Sequence, residues 1–203
     1  AIKVHEYYKD IVSEIRLETR VDGDARVGFD QPFGVYVDLV HTKEIERESG
    51  GFGRYLQNQN SSVAFSYNYG RPTNDYRDKF EESVRETFSE QFEVMSVTFQ
   101  KPDVQSIPSN KPGWRVTPYA YILLKSRGPQ VDKVPPAHLD LDFLDTSGYA
   151  ILPVESAVLP VESASALPRP IGKLSVTQIL DERQAGEGKL VLEIKASGQG
   201  LVP

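Results

Sequence analysis

TNDYRDKFEESVRETFSEQFEVMSVTFQ, Thr73 to Gln100, is the stretch whose reading decides the fold. Tyr76, Phe80, Val84, Phe88 and Phe92 recur every four residues, which lays them along one side of a helix. From Val94 the pattern changes. Met95, Val97 and Phe99 alternate within a β-branched and apolar run, as in a strand. Pro72 marks the start, and Thr73 or Asn74 can cap the first free amides. Asp75 and Asp78 sit where the helix dipole favours negative charge. Asp75 with Lys79, and Glu81 with Arg85, are four-residue ion pairs worth about 0.2–0.5 kcal/mol each. No glycine or proline interrupts the run, so the helix is predicted from Asn74 to near Phe92, ending where the pattern changes. Arg77, Glu82, Glu86 and Glu90 form its solvated face.

A helix with an apolar stripe must bury it against another layer. The stripe could dock a partner, but the rest of the chain reads as strand or loop, so its own sheet is the simpler cover. The predicted class is α+β: a mostly antiparallel β-sheet or sandwich with one long amphipathic helix packed on a face.

Working outward, Ile15 to Asp22 alternates, with Ile15, Leu17 and Val21 on one face. Asp22-Gly23-Asp24 reads as a turn, since the remaining acids of a calcium loop are missing. Val35, Val37, Leu39 and His41 share a face of a second strand. Val63, Phe65, Tyr67 and Tyr69 line a third, as a core face or a stacking platform. Trp114 to Lys125 reads as a long strand in which Pro118 marks an edge or a bulge, and Trp114 as a core or loop anchor. His138-Leu139-Asp140-Leu141-Asp142-Phe143 alternates into the turn Asp145–Gly148 and returns through Tyr149–Leu152 as a hairpin. Leu152-Pro153-Val154-Glu155-Ser156-Ala157 recurs as Leu159-Pro160-Val161-Glu162-Ser163-Ala164, a local duplication too short for a repeat array.

These features predict a main α+β domain over 1–155, a Pro/Ala/Ser-rich connector over 156–170, and a β-hairpin over 171–203. The hairpin is expected to join the main sheet or to begin a further domain. The chain opens at Ala1 without Met and closes on Gly198-Gln199-Gly200-Leu201-Val202-Pro203, which reads as a piece of a longer chain.

Composition narrows the function. The net charge is −6 and the isoelectric point about 5.2, which argues against general nucleic-acid binding, because that needs clustered Lys and Arg. No apolar run is long enough for a membrane-spanning helix. The absence of cysteine removes disulfides and thiolate chemistry. Three distant histidines favour no metal site, and no cofactor motif is present. No hydrolase elbow, zinc-protease helix or phosphate loop appears either. Tyrosine-rich strands and Pro-rich connections tilt the location toward an extracytoplasmic one, periplasm or cell surface.

Two candidate sites remain. The Gly50–Gly53 loop could place backbone amides near Arg54. Gly51, Gly53, Arg54, Tyr55, Tyr67 and Tyr69 are the candidate residues for a carbohydrate or peptide ligand. His138, Asp140 and Asp142 share an outward strand face and could serve a hydrolase, although no nucleophile or third ligand accompanies them. The leading expectation is a non-catalytic structural or protein-interaction module of a larger bacterial protein. Its partner would be another protein or a neighbouring domain of the same chain, with a glycan as the alternative ligand.

Overall fold

The computed structural model describes residues 12–29, 31–43, 76–100, 104–145, 148–164, 175–181 and 188–197. They fall into two compact units, Ala1–Ala166 and Leu167–Pro203. In the first unit the elements are β1 (Ile15–Val21), β2 (Arg26–Gly28), β3 (Pro32–Thr42), α1 (Tyr76–Phe88), β4 (Phe92–Phe99), β5 (Ile107–Pro108), β6 (Trp114–Ser126), β7 (Lys133–Val134), β8 (His138–Asp145), β9 (Gly148–Glu155), β10 (Leu159–Pro160) and β11 (Glu162–Ala164). The chain is α+β, mostly antiparallel, with one helix among the described residues.

The main sheet runs β1-β3-β6-β4, with β5 added alongside β6. Alternation along β3 turns Phe33, Val35, Val37, Leu39 and His41 to one side. Leu124, Ile122 and Ala120 of β6 stand opposite the first three and are buried with them. Pro118 has no amide to donate, yet β6 is a central strand. The ladder accommodates it by a shift: Val37 faces Ala120, Asp38 faces Pro118, and Tyr119 is the extra residue. The bulge sends the Tyr119 ring into the core, with ring centres 5.2 Å from Phe80 and 5.5 Å from Phe99.

Two elements cover this inner face. Phe80, Val84 and Phe88 of α1 are buried, and so are Leu139 and Leu141 of β8 and Val154 of β9. All belong to one core cluster with the inner residues of β1, β3 and β6. The helix packs against β4 and β8, and β9 lies against β1. A polar pair is buried beside the apolar core: the His41 Nδ1–H donates to the Thr42 carbonyl at 2.9 Å, and Nε2 accepts from the Thr117 hydroxyl at 2.8 Å. Both side chains are fully buried, so each needs the other.

The helix ends one turn earlier than its apolar spacing predicts. The Gln91 amide bonds the Phe88 carbonyl at 3.1 Å, and Phe92 opens β4. Phe92 is nevertheless buried, and its ring centre lies 6.5 Å from that of Phe88. The four-residue spacing therefore ran through the turn because both elements bury their aromatics in the same core. The Glu81–Arg85 pair forms at 2.7 Å, while Asp75 lies outside the described residues. Arg85 also donates to the Val94 carbonyl at 2.8 Å, and Arg127 to that of Phe92 at 3.0 Å. These arginines occupy acceptors on the edge strand β4, groups that would otherwise invite pairing with another chain.

Residues expected to form a connector build short strands of the first unit. β10 pairs antiparallel with β7, and β11 pairs parallel with β2. The duplicated segments share a buried valine and a serine bonded to the backbone of a neighbouring segment. Val154 and Val161 are both buried. Ser156 accepts from the Ala137 amide at 2.9 Å, and Ser163 donates to the Pro129 carbonyl. In the second unit, β12 (Ser175–Asp181) and β13 (Val191–Ser197) form a two-stranded antiparallel sheet from Ser175↔Ser197 to Asp181↔Val191.

Two measurements check this packing by urea denaturation. Phe88→Ala should cost about 3–5 kcal/mol, because it removes a fully buried ring, whereas Glu82→Ala on the solvated face should stay within about 0.5 kcal/mol. Thr117→Val should cost about 1–3 kcal/mol by leaving the buried imidazole without its donor.

Candidate interaction surface

The alternation that builds the core also fixes the opposite face of the sheet. Arg16, Glu18 and Arg20 of β1 lie on that face, with Tyr36, Asp38 and Val40 of β3 beside them. Register places Arg20 across from Tyr36, Glu18 from Asp38 and Arg16 from Val40. Trp114 and Tyr121 of β6 stand across from Thr42 and Tyr36.

Both arginines stack on aromatic rings. The Arg20 guanidinium carbon lies 3.9 Å from the Tyr36 ring centre, and its Nε donates to Asp38 Oδ2 at 3.3 Å. The Arg16 guanidinium lies 4.4 Å from the Trp114 ring centre, and Lys111 Nζ lies 4.1 Å from the same ring. Tyr36 is braced in turn. Tyr121 meets it edge-on at 4.9 Å, and the Tyr121 hydroxyl donates to Asp22 Oδ2 at 2.9 Å. Gly34 makes room for this arrangement, since a Cβ there would fall 1.8 Å from the Tyr121 oxygen.

Asp38 is the least comfortable group on the face. Its side chain is only 12% exposed, against 62% for Arg20. Burial raises the carboxyl above the usual carboxylate range; the charge and hydrogen bond of Arg20 pull the other way without cancelling it, and Glu18 adds to the rise. Holding Asp38 ionised therefore costs stability at neutral pH. A carboxylate kept in such a place marks a candidate functional position.

The other candidate residues fare differently. Gly51, Gly53, Arg54, Tyr55, Tyr67 and Tyr69 lie outside the described residues. His138 and Asp140 are brought together on β8, with Nε2 3.1 Å from Oδ1 on a largely solvated pair. Asp142 follows on the same strand. Among the described residues no cluster of His, Asp or Glu is arranged to hold a metal ion. Asp22 and Asp24, which flank the turn at Gly23, serve Tyr121 and Arg26. No helix of the described residues is long and apolar enough to cross a membrane. No protein-family model, no curated protein and no solved structure matches the chain.

Sequence reasoning passed over Arg16, Arg20, Tyr36, Asp38 and Tyr121 because it followed the apolar faces. The signal was present in the complementary face: arginines four residues apart on one strand, and an outward tyrosine and aspartate two apart on the next.

Two substitutions test the geometry. Asp38→Asn should raise the thermal midpoint at pH 7, since Asn removes the buried charge. The raised carboxyl favours the native state fully only below its unfolded pKa of about 3.9, so the advantage of Asn should shrink as pH falls and vanish below that value. Gly34→Ala should cost about 1–3 kcal/mol, because the Tyr121 ring has to move and take its bond to Asp22 with it.

Proposed function

We propose that the chain is a non-catalytic protein-interaction module of a larger bacterial protein, and that the face around Asp38 is where it meets its partner. The observation that carries this reading is a costly carboxylate set among stacked Arg, Tyr and Trp residues. Those three residue types supply most of the binding energy at protein interfaces, and their rigid stacking lowers the entropy lost on association. A stability cost at Asp38 is intelligible when the residue serves binding.

A glycan-binding module is the second reading, and the same geometry weighs against this face as its site. A sugar stacks on a bare ring, whereas here Tyr36 carries Arg20 and Trp114 carries two cations. Placement at a cell surface or in the periplasm belongs to the same proposal and draws only on the tyrosine-rich strands of the sequence.

Photo-crosslinking in the source cells tests the reading. A photoreactive residue at Glu18 should yield a discrete protein adduct, competed away by added wild-type chain and not by a Tyr36→Ala/Trp114→Ala variant. The same probe at Glu82, on the solvated helix face, should yield none. Equal labelling from both positions, or binding on a glycan panel that Tyr36→Ala and Trp114→Ala abolish, would overturn it.

A further inference from the structure

Arg20 and Arg16 are both held, yet hardly used. Among the described residues, Arg20 bonds through its Nε, to Asp38, and its two terminal amino groups have no hydrogen-bond partner. Its position is fixed from below by the Tyr36 ring and from the side by Asp38. Arg16 stacks on the Trp114 ring and makes no ion pair among the described residues. Both side chains are exposed. A guanidinium anchored through its ring face and its Nε keeps a planar pair of donors pointing outward, the shape that matches a carboxylate with two parallel hydrogen bonds.

Arg16 and Arg20 stand four residues apart on one strand, about 13 Å between their Cα positions at the rise of a β-strand. Between them lies Glu18, also exposed. The surface therefore presents a fixed order along β1: cation, anion, cation.

Resting on the interaction-module reading, we infer that this face binds an acidic segment of a partner protein, one that places one carboxylate on Arg16, one on Arg20 and a basic side chain between them on Glu18. Asp38 and Tyr36 are then positioning residues, which hold Arg20 for the incoming carboxylate. A phosphate-rich polymer fits worse, because it has no cation to set against Glu18, which stands between the two arginines on β1.

The test uses a blocked seven-residue peptide with glutamate at its second and sixth positions, lysine at the fourth, and valine or threonine elsewhere. Trp114 is the chain's only tryptophan, so its emission reports on the site. The peptide should change that emission saturably. Arg20→Lys should weaken binding about tenfold, since an ammonium cannot present the planar fork. Tyr36→Ala should weaken it as well while lowering the order parameter of the Arg20 Nε–H, a combination that a merely structural role would not produce. A peptide with the charges exchanged should not bind.

Equal binding of the exchanged peptide, or competition by inorganic phosphate at the peptide's own concentration, would overturn the inference. So would the absence of any response to the acidic peptide. If crosslinking from Glu18 nevertheless stayed specific, the interaction-module reading would stand and only the partner chemistry would fall; loss of both would end both.

Discussion

The inner face of the β3–β6 pair is the constraint on which the rest of the molecule depends. Val35, Val37 and Leu39 face the same side as Ile122 and Leu124, and none of these five is exposed. A sheet face of that kind cannot be left in water, where each such side chain would forfeit about 1.5–3 kcal/mol. Helix α1 and the β8–β9 hairpin exist as a cover for it. The bulge at Tyr119 follows from the same demand, because it lets a proline sit in a central strand while the residues on both sides keep their inward direction.

Period-two alternation then fixes the opposite face at no further cost. Once Val35, Val37 and Leu39 are inside, Tyr36 and Asp38 must be outside, and Arg16, Glu18 and Arg20 must stand beside them. What alternation does not dictate is the chemistry found there. An ordinary solvated face would carry lysine, glutamate and threonine with mobile tips. This one carries guanidinium groups stacked on rings, a ring braced by a second ring, a glycine that makes room for the brace, and a carboxylate buried deeply enough to resist ionisation. Each of these reduces the freedom of Arg20, and together they make an exposed side chain behave as part of a rigid surface.

The sequence showed the fold through its strongest periodicities. The helix stripe from Phe80 to Phe88, the strands at Ile15, Val35 and Trp114, and both hairpins were legible because burial writes an apolar repeat into each. The helix boundary was missed because Phe92 continues the spacing while belonging to a strand in the same core. The short strands β10 and β11 were missed because two or three residues are too few to show a period, and because Pro160, with Pro168 and Pro170 after it, looks like connector chemistry. The interaction surface was illegible for a different reason. Its meaning lies in cross-strand neighbours: Arg20 with Tyr36 and Asp38, Arg16 with Trp114. These residues are 16, 18 and 98 positions apart, and only the register of the sheet brings them together.

The surface can act as proposed only if Arg20 is held in place before any partner arrives. Nitrogen relaxation of the arginine Nε–H groups measures this directly. In the free protein the Arg20 order parameter should lie near that of the rigid backbone, about 0.85, and fall below about 0.6 when Tyr36 is replaced by Ala. An Arg20 Nε–H below about 0.6 in the wild-type protein would mean that the stack does not persist, and the surface would then be an ordinary solvated face.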